Sequence, residues 1–348
     1  MAQFEYGKTL DTLMIPEVVS TLGDIREPKG RATSLSAISS EAFSALVEVA
    51  KIQSTGASNR IENISISDKR LRELMLDKTE PRNRDEREIA GYRYALDEIR
   101  ESHDDIPVTP NVILQLHRDL HRFSGGSYAG KWKDSDNVIA ERTAEGELVS
   151  RFVPTSAAGT PAAVERICSE YANQVNAGAY DPLLVSLVFV FDFVSIHPFD
   201  EGNGRMSRLL TLLLMYRSGY DVGKCISIEK EIERTKETYY EALAASSSGW
   251  REGESDYAPF VTYMLGIVLA CYGELDAGFS IAASPVGNEE AVRVFFARLI
   301  GTATKREILD ANPGVSRRTL ERVLAKLQDE GVVEKVGAAR STAYRRRG

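Results

Sequence analysis

Apolar positions along most of the chain recur three and four residues apart, the spacing that lines one face of a helix. The stretches that show it are Ala42 to Ile52 (with Phe43, Leu46, Val47 and Val49), Glu86 to Glu101, Asn111 to Arg122, Ala162 to Ala177, Pro182 to Ile196 and Arg205 to Arg217. The pattern predicts a mainly α fold, with Pro182 to Ile196 and the helix after it so apolar that both must be buried. One stretch reads differently. Asn137 to Pro154 carries Val138-Ile139, a Glu145-Gly146 turn and then Leu148, Val149, Phe152 and Val153, which predicts a β-hairpin. No internal repeat or low-complexity tract interrupts the pattern.

The composition fits a folded protein of two or three domains: 348 residues, 43% of them hydrophobic and 27% charged, with a net charge of −8. Disorder, collagen and a disulfide-stapled miniprotein are excluded. Cys168, Cys225 and Cys271 are too widely spaced for a zinc or redox motif and are expected to be reduced core thiols. The opening residues, 1–8, lack the basic-then-apolar run of a secretory signal, so a cytoplasmic location is expected. The most apolar stretch, Pro182 to Phe199, contains Asp192 and His197 and falls short of the roughly 20 residues that span a bilayer, so no membrane partner is expected.

Charge divides the chain. Residues 302–348 hold 11 basic and 6 acidic side chains, a net +5, which leaves −13 for the rest. The segment Ser280 to Glu290, with Ser284, Pro285 and Gly287, reads as a linker or the lead into another helix, which places a boundary near residue 285.

Between the two buried helices lies His197-Pro198-Phe199-Asp200-Glu201-Gly202-Asn203-Gly204-Arg205-Met206-Ser207-Arg208. Gly202 and Gly204 allow positive φ and expose backbone amides just where the next helix offers its unpaired N–H groups to an anion. Arg205 and Arg208, three apart, are placed to grip phosphate oxygens. Glu201 is a hard carboxylate of the kind that shares Mg²⁺ with phosphates. Asn203 is a candidate to orient a phosphate or water, and His197, the one group here whose unperturbed pKa lies near neutrality, is the candidate general base. Together the residues outline a transferase site.

The run matches, at every specified position, the signature His-x-Phe-x-Asp/Glu-Gly-Asn-Gly-Arg-x-x-Arg, and the chain is identified as resembling the Fic (filamentation induced by cAMP) family. The resemblance implies a helical Fic-type core that binds ATP with Mg²⁺ and transfers AMP to a hydroxyl of a target protein. His197 would be the base, Glu201 the metal ligand, Gly202, Asn203 and Gly204 the anion loop, Arg205 and Arg208 the phosphate clamps, and Phe199 a buried anchor. It further makes the hairpin, about 130–154, a flap that holds the target through Asn137, Val138 and Ile139 by strand addition. Trp132-Lys133 stands where the family commonly has Tyr-Arg. Tyr240, in Glu237 to Leu243, is similar to an aromatic near the adenine pocket. Ser58-Asn59-Arg60-Ile61-Glu62-Asn63 resembles the family's inhibitory pattern Ser/Thr-x-x-x-Glu-Gly/Asn, which implies that Glu62 pairs with Arg208 and holds the enzyme off. Ser58 is read as starting a helix, about 54–68, with Glu62 on its first turn.

The resulting domains are an N-terminal helical region at 1–105, a core at 106–284 and a C-terminal domain at 285–348. In the last, Ser316 is expected to cap a helix with Leu320, Val323, Leu324 and Leu327 inward, followed by two strands around Gly337-Ala338-Ala339-Arg340. This resembles a winged helix-turn-helix, with Arg317, Arg318, Arg322, Arg340 and Arg345 to Arg347 available to phosphates of DNA. The target protein stays open, as do self-modification and homodimerisation. Alternatives are a DNA-binding regulator whose core only senses nucleotide, and a Fic enzyme that removes AMP or transfers another nucleotidyl group.

Overall fold

The computed structural model describes residues 4–36, 40–76, 79–142, 148–283, 288–299, 301–312, 315–337 and 342–347. The chain forms two compact units, one of Met1–Ile66 and Leu74–Tyr272, the other of Ser67–Glu73 and Gly273–Gly348. The helices are α1 (Tyr6–Thr12), α2 (Pro16–Ser36), α3 (Ser40–Ile61), α4 (Asp68–Met75), α5 (Arg84–Ser102) and α6 (Pro110–Leu120), followed by the strands β1 (Ile139–Arg142) and β2 (Leu148–Phe152). Next come α7 (Thr160–Ala177), α8 (Pro182–Ile196), α9 (Asn203–Arg217), α10 (Ile228–Arg234), α11 (Lys236–Ser247), α12 (Ala258–Ala283), α13 (Asn288–Arg298), α14 (Lys305–Asp310), α15 (Arg317–Asp329), β3 (Val333–Val336) and β4 (Ala343–Arg346).

In the first unit, α8 and α9 form the centre and are buried nearly all round. A helix of that kind has no amphipathic stripe because every direction meets protein. Asp181 caps α8 by accepting from the Leu183 N–H (3.0 Å), and Pro182 starts it with the preset φ of a first helical residue. Asp192, wholly buried in α8, accepts from Trp250 Nε1 (2.8 Å) and from the Tyr257 hydroxyl (2.7 Å). Burial pushes its carboxyl up to about 7 against these bonds.

The predicted hairpin forms, antiparallel, with a bulge between Ile139 and Ala140. Its turn, at Glu145-Gly146, lies outside the described residues. Of the two readings of Ser280 to Glu290, the structure shows the lead into another helix. Helix α12 runs to Ala283 and α13 starts at Asn288, while 284–287 lie outside the described residues. The units themselves divide at 272/273, and the second also takes in Ser67–Glu73. By length and composition Ala258–Ala277 could cross a membrane, but half of it is buried inside the protein, as in a core helix.

The second unit has its own core of Val292 and Phe296 from α13, Ile308 from α14, Leu320, Val323, Leu324 and Leu327 from α15, Val333 from β3 and Tyr344 from β4. Ser316 caps α15 by accepting from the Thr319 N–H (3.2 Å), and β3 pairs with β4 in antiparallel register. Ala303 adds a bridge to Tyr344. Residues 338–341, which include Arg340 and most of the expected turn, lie outside the described residues.

Candidate active site

The loop between α8 and α9 is built on two left-handed residues, His197 (φ 51, ψ 62) and Gly202 (φ 85). Gly202 is required there, both for that conformation and because a Cβ would come within 2.8 Å of His121 Nε2. Gly204 differs from expectation. It lies inside α9 without positive φ, and what it supplies is space, since a Cβ would collide with the Glu62 carboxylate. Asn203 also departs from its expected role. Its side chain is spent on the loop, accepting from the Phe199 N–H (2.9 Å) and donating to the Phe199 carbonyl (2.7 Å). The first amides of α9 are left for an anion.

Phe199 is fully buried between His117, stacked at 3.7 Å, and Trp132 at 5.3 Å. His117 Nδ1 accepts from the Gly130 N–H (3.0 Å), so Nε2 carries the proton and donates to the Glu201 carbonyl (3.0 Å). The Glu201 carboxylate accepts from Arg84 Nη2 (3.1 Å) and from the Tyr128 hydroxyl (3.3 Å).

Both arginines are buried and bound to carboxylates. Arg205 donates to Glu88 on α5 (2.7 Å). Arg208 donates through Nε to Ser58 Oγ (2.8 Å) and through Nη2 to the Ser58 carbonyl (2.9 Å) and Glu62 Oε1 (2.8 Å). Burial would raise the Glu62 carboxyl, but Arg208 outweighs it and holds the group below its ordinary range. Ser58 is not a helix start. It sits in the last turn of α3, Glu62 follows the final helical residue, and Asn63 takes the left-handed conformation (φ 60). Gly or Asn after Glu in the sequence pattern is therefore a helix-stop signal.

Two cavities meet at this point. One, of about 470 Å³, is lined by Ile139, Phe152, Val194, Tyr239, Tyr240 and Leu243 together with His197 and Arg208, a size and polarity that suit a small ligand. The other, of about 430 Å³, is lined by Asp85, Asp200, Glu201, Arg84 and Arg205. Glu62, His197, Asn203 and Gly204 border both. Sequence reading missed Arg84, Glu88, His117, His121 and Tyr128. Of the expected flap residues, Ile139 lines the larger cavity and Val138 is exposed, but Asn137 turns inward to accept from Lys133 Nζ (2.9 Å).

His117, His121 and His197 are all held well below the ordinary histidine value of 6.5, to about 3, 4 and 4, chiefly by burial. The unfolded chain therefore takes up three protons between pH 6.5 and 4 that the folded chain does not. Asp192, raised to about 7, works in the opposite direction by holding a proton in the folded state. The net difference is about two protons, so stability should fall as the pH drops through that window, by up to about 3 kcal/mol per pH unit. Melting temperatures taken from pH 7 to 4.5 check this, and a flat profile would contradict it.

Residues 107–215 match the Fic/DOC family. Among curated relatives, "Protein adenylyltransferase fic-1" of Caenorhabditis elegans is 29% identical over 48% of this chain and 28% of its own length. "Protein adenylyltransferase Fic" of Drosophila melanogaster is 27% identical over 51% of this chain and 32% of its own. The chain thus spans about a third or less of these relatives. A solved Fic family protein from Desulfovibrio desulfuricans superposes with a TM-score of 0.62 at 22% identity, covering 96% of this chain and 97% of that one. A Fic domain containing signaling protein from Bacteroides thetaiotaomicron gives 0.62 at 22% identity over 76% of this chain and 98% of that one. The helices and loop that carry His197 to Arg208 therefore lie within the stretch, residues 107–215, that matches the Fic/DOC family.

Proposed function

We propose that the chain is a protein adenylyltransferase that moves AMP from ATP to a hydroxyl side chain of a target protein. The observation that carries this reading is the meeting of an aromatic-lined cavity and a charged one at His197 and the start of α9. Base and sugar fit the first, with Tyr240 on its wall, and the phosphates fit the second, between the α9 amides and Arg205. The names of the curated relatives support the same reaction.

In the reaction the hydroxyl oxygen attacks the α-phosphorus, the bond to the β-phosphate oxygen breaks, and pyrophosphate leaves. A neutral His197 takes the hydroxyl proton. Burial and the Lys133 charge hold the ring at about 4, so it is in the accepting form at neutral pH. Displacement at phosphorus asks the protein mainly for positioning and charge neutralisation. Among the described residues no group of three or more His, Cys, Asp or Glu side chains could hold a metal unaided. Glu201, Asp85 and Asp200 are nonetheless hard donors beside the phosphate cavity, which fits Mg²⁺ arriving with the nucleotide. When bound, the ion neutralises phosphate charge.

Glu62 is proposed as the inhibitory residue, since it occupies Arg208 where the two cavities join. Mass spectrometry of the full chain, incubated with each nucleoside triphosphate and Mg²⁺, tests the function. One AMP added to itself or to an added protein from ATP alone is expected. No adduct from any nucleotide, including with Glu62→Gly, would overturn the reading.

The C-terminal unit supports a second role as a winged helix that contacts DNA, because Arg318 and Arg322 on α15 and Arg346 and Arg347 at β4 are exposed. With about four phosphate contacts, the logarithm of duplex affinity should fall against log salt with a slope near −4. No binding at low salt would leave this unit a protein-docking module.

A further inference from the structure

Lys133 is 3% exposed, yet among the described residues no carboxylate pairs with its ammonium. A buried charge without an ion pair is costly, so what holds it matters. Lys133 Nζ donates to the Ile196 carbonyl (3.2 Å) and to Asn137 Oδ1 (2.9 Å), while its backbone N–H donates to the Pro198 carbonyl (2.9 Å). Ile196 and Pro198 flank His197, the residue forced into the left-handed region. For a side chain with a Cβ that conformation costs of order 1–3 kcal/mol and persists only where neighbours impose it. The same residue therefore grips the backbone on both sides of the strained position.

We propose that Lys133 is a positioning residue for AMP transfer, which fixes the left-handed turn that aims the His197 imidazole and places a positive charge beside that ring. The inference rests on His197 being the general base. The charged groups that face the ring are Lys133, from the segment after α6, and Glu62, from the end of α3. Those that face Lys133 are Asp136 on its own segment and Asp200 in the loop. Burial contributes most to the low His197 value, with Lys133 next, and Glu62 acts against both. Lys133 lines neither cavity, so its action on the reaction runs through His197 rather than through nucleotide contact.

The test is the ring titration of His197 by NMR in the full chain, with AMP transfer from labelled ATP measured in parallel for wild type, Lys133→Gln and Lys133→Arg. Lys133→Gln should move the His197 titration upward by about one pH unit, a tenfold gain in proton affinity, and the acid limb of the rate profile should move with it. Its kcat should fall about 10- to 100-fold with KM for ATP held within twofold. Lys133→Arg, which keeps charge and donors, should restore the low titration. If Lys133→Gln does not fold, Lys133→Met removes the charge at similar length without its desolvation cost. An unmoved His197 titration with transfer intact would overturn the role of Lys133. Transfer that survives loss of His197 would instead overturn the reading on which it rests.

Discussion

Replacing His197 with Ala should reduce AMP transfer by about 10²- to 10⁴-fold, the usual contribution of a positioned general base. The ring is placed by the fold before any ligand arrives: α8 ends on it, its N–H bonds to the Phe193 carbonyl (3.1 Å), and the carbonyls on either side are held by Lys133. Ala removes the proton acceptor and leaves the cavities' other walls in place, so nucleotide affinity should change little while kcat collapses. Labelled-ATP transfer and calorimetric ATP binding separate the two effects. Transfer at the wild-type rate would exclude His197 as the base, and a matched loss of ATP binding would mean that the substitution had damaged the pocket.

Glu62→Gly should act in the opposite direction and raise transfer by about 10- to 150-fold. Charge-assisted hydrogen bonds of the kind linking Glu62 to Arg208 are worth about 1.5–3 kcal/mol, and that is the hold a nucleotide must break to recruit the arginine. Arg208 would keep its two bonds to Ser58 and so remain aimed at the junction of the cavities. On the proposed function, the carboxylate also places negative charge where the polyphosphate would pass, and Arg208 keeps it ionised throughout the physiological range. A transfer rate equal to wild type would show that the contact is structural and not inhibitory.

The loop from His197 to Arg208 was legible in the sequence because its chemistry is contiguous: residues that share a turn in space also share twelve positions in the chain. The buried helices on either side were legible for the same local reason. What stayed hidden were the partners brought by distant elements. Glu88 and Arg84 stand on α5 and His117 and His121 at the end of α6, in stretches whose charged and aromatic residues look like ordinary helix surface. Only the packing of α5 and α6 on α9 turns Glu88, His117 and His121 inward, while Arg84 stays exposed and reaches Glu201 from the surface. Ser58 and Glu62 are legible as a pair, but their spacing does not say which end of a helix they mark. A serine before a glutamate resembles a cap, whereas the decisive residue is Asn63, whose left-handed backbone stops α3. Asn203 and Gly204 show a further limit: residue type identified the loop, but not that one side chain would stitch it together and the other would simply make room.

The chain's two tryptophans are placed as optical probes of this machinery. Trp132 lies against Phe199 at the front of the loop between α8 and α9, and Trp250 touches Phe152 at the end of β2 while donating to Asp192. Emission from the first follows the stacking under the loop, and emission from the second follows the seating of the hairpin. Because the sequence holds no third tryptophan, replacing either one with Phe leaves a single indole, which is excited apart from the 14 tyrosines, so the surroundings of each can be followed separately in a stopped-flow mixer without an added dye.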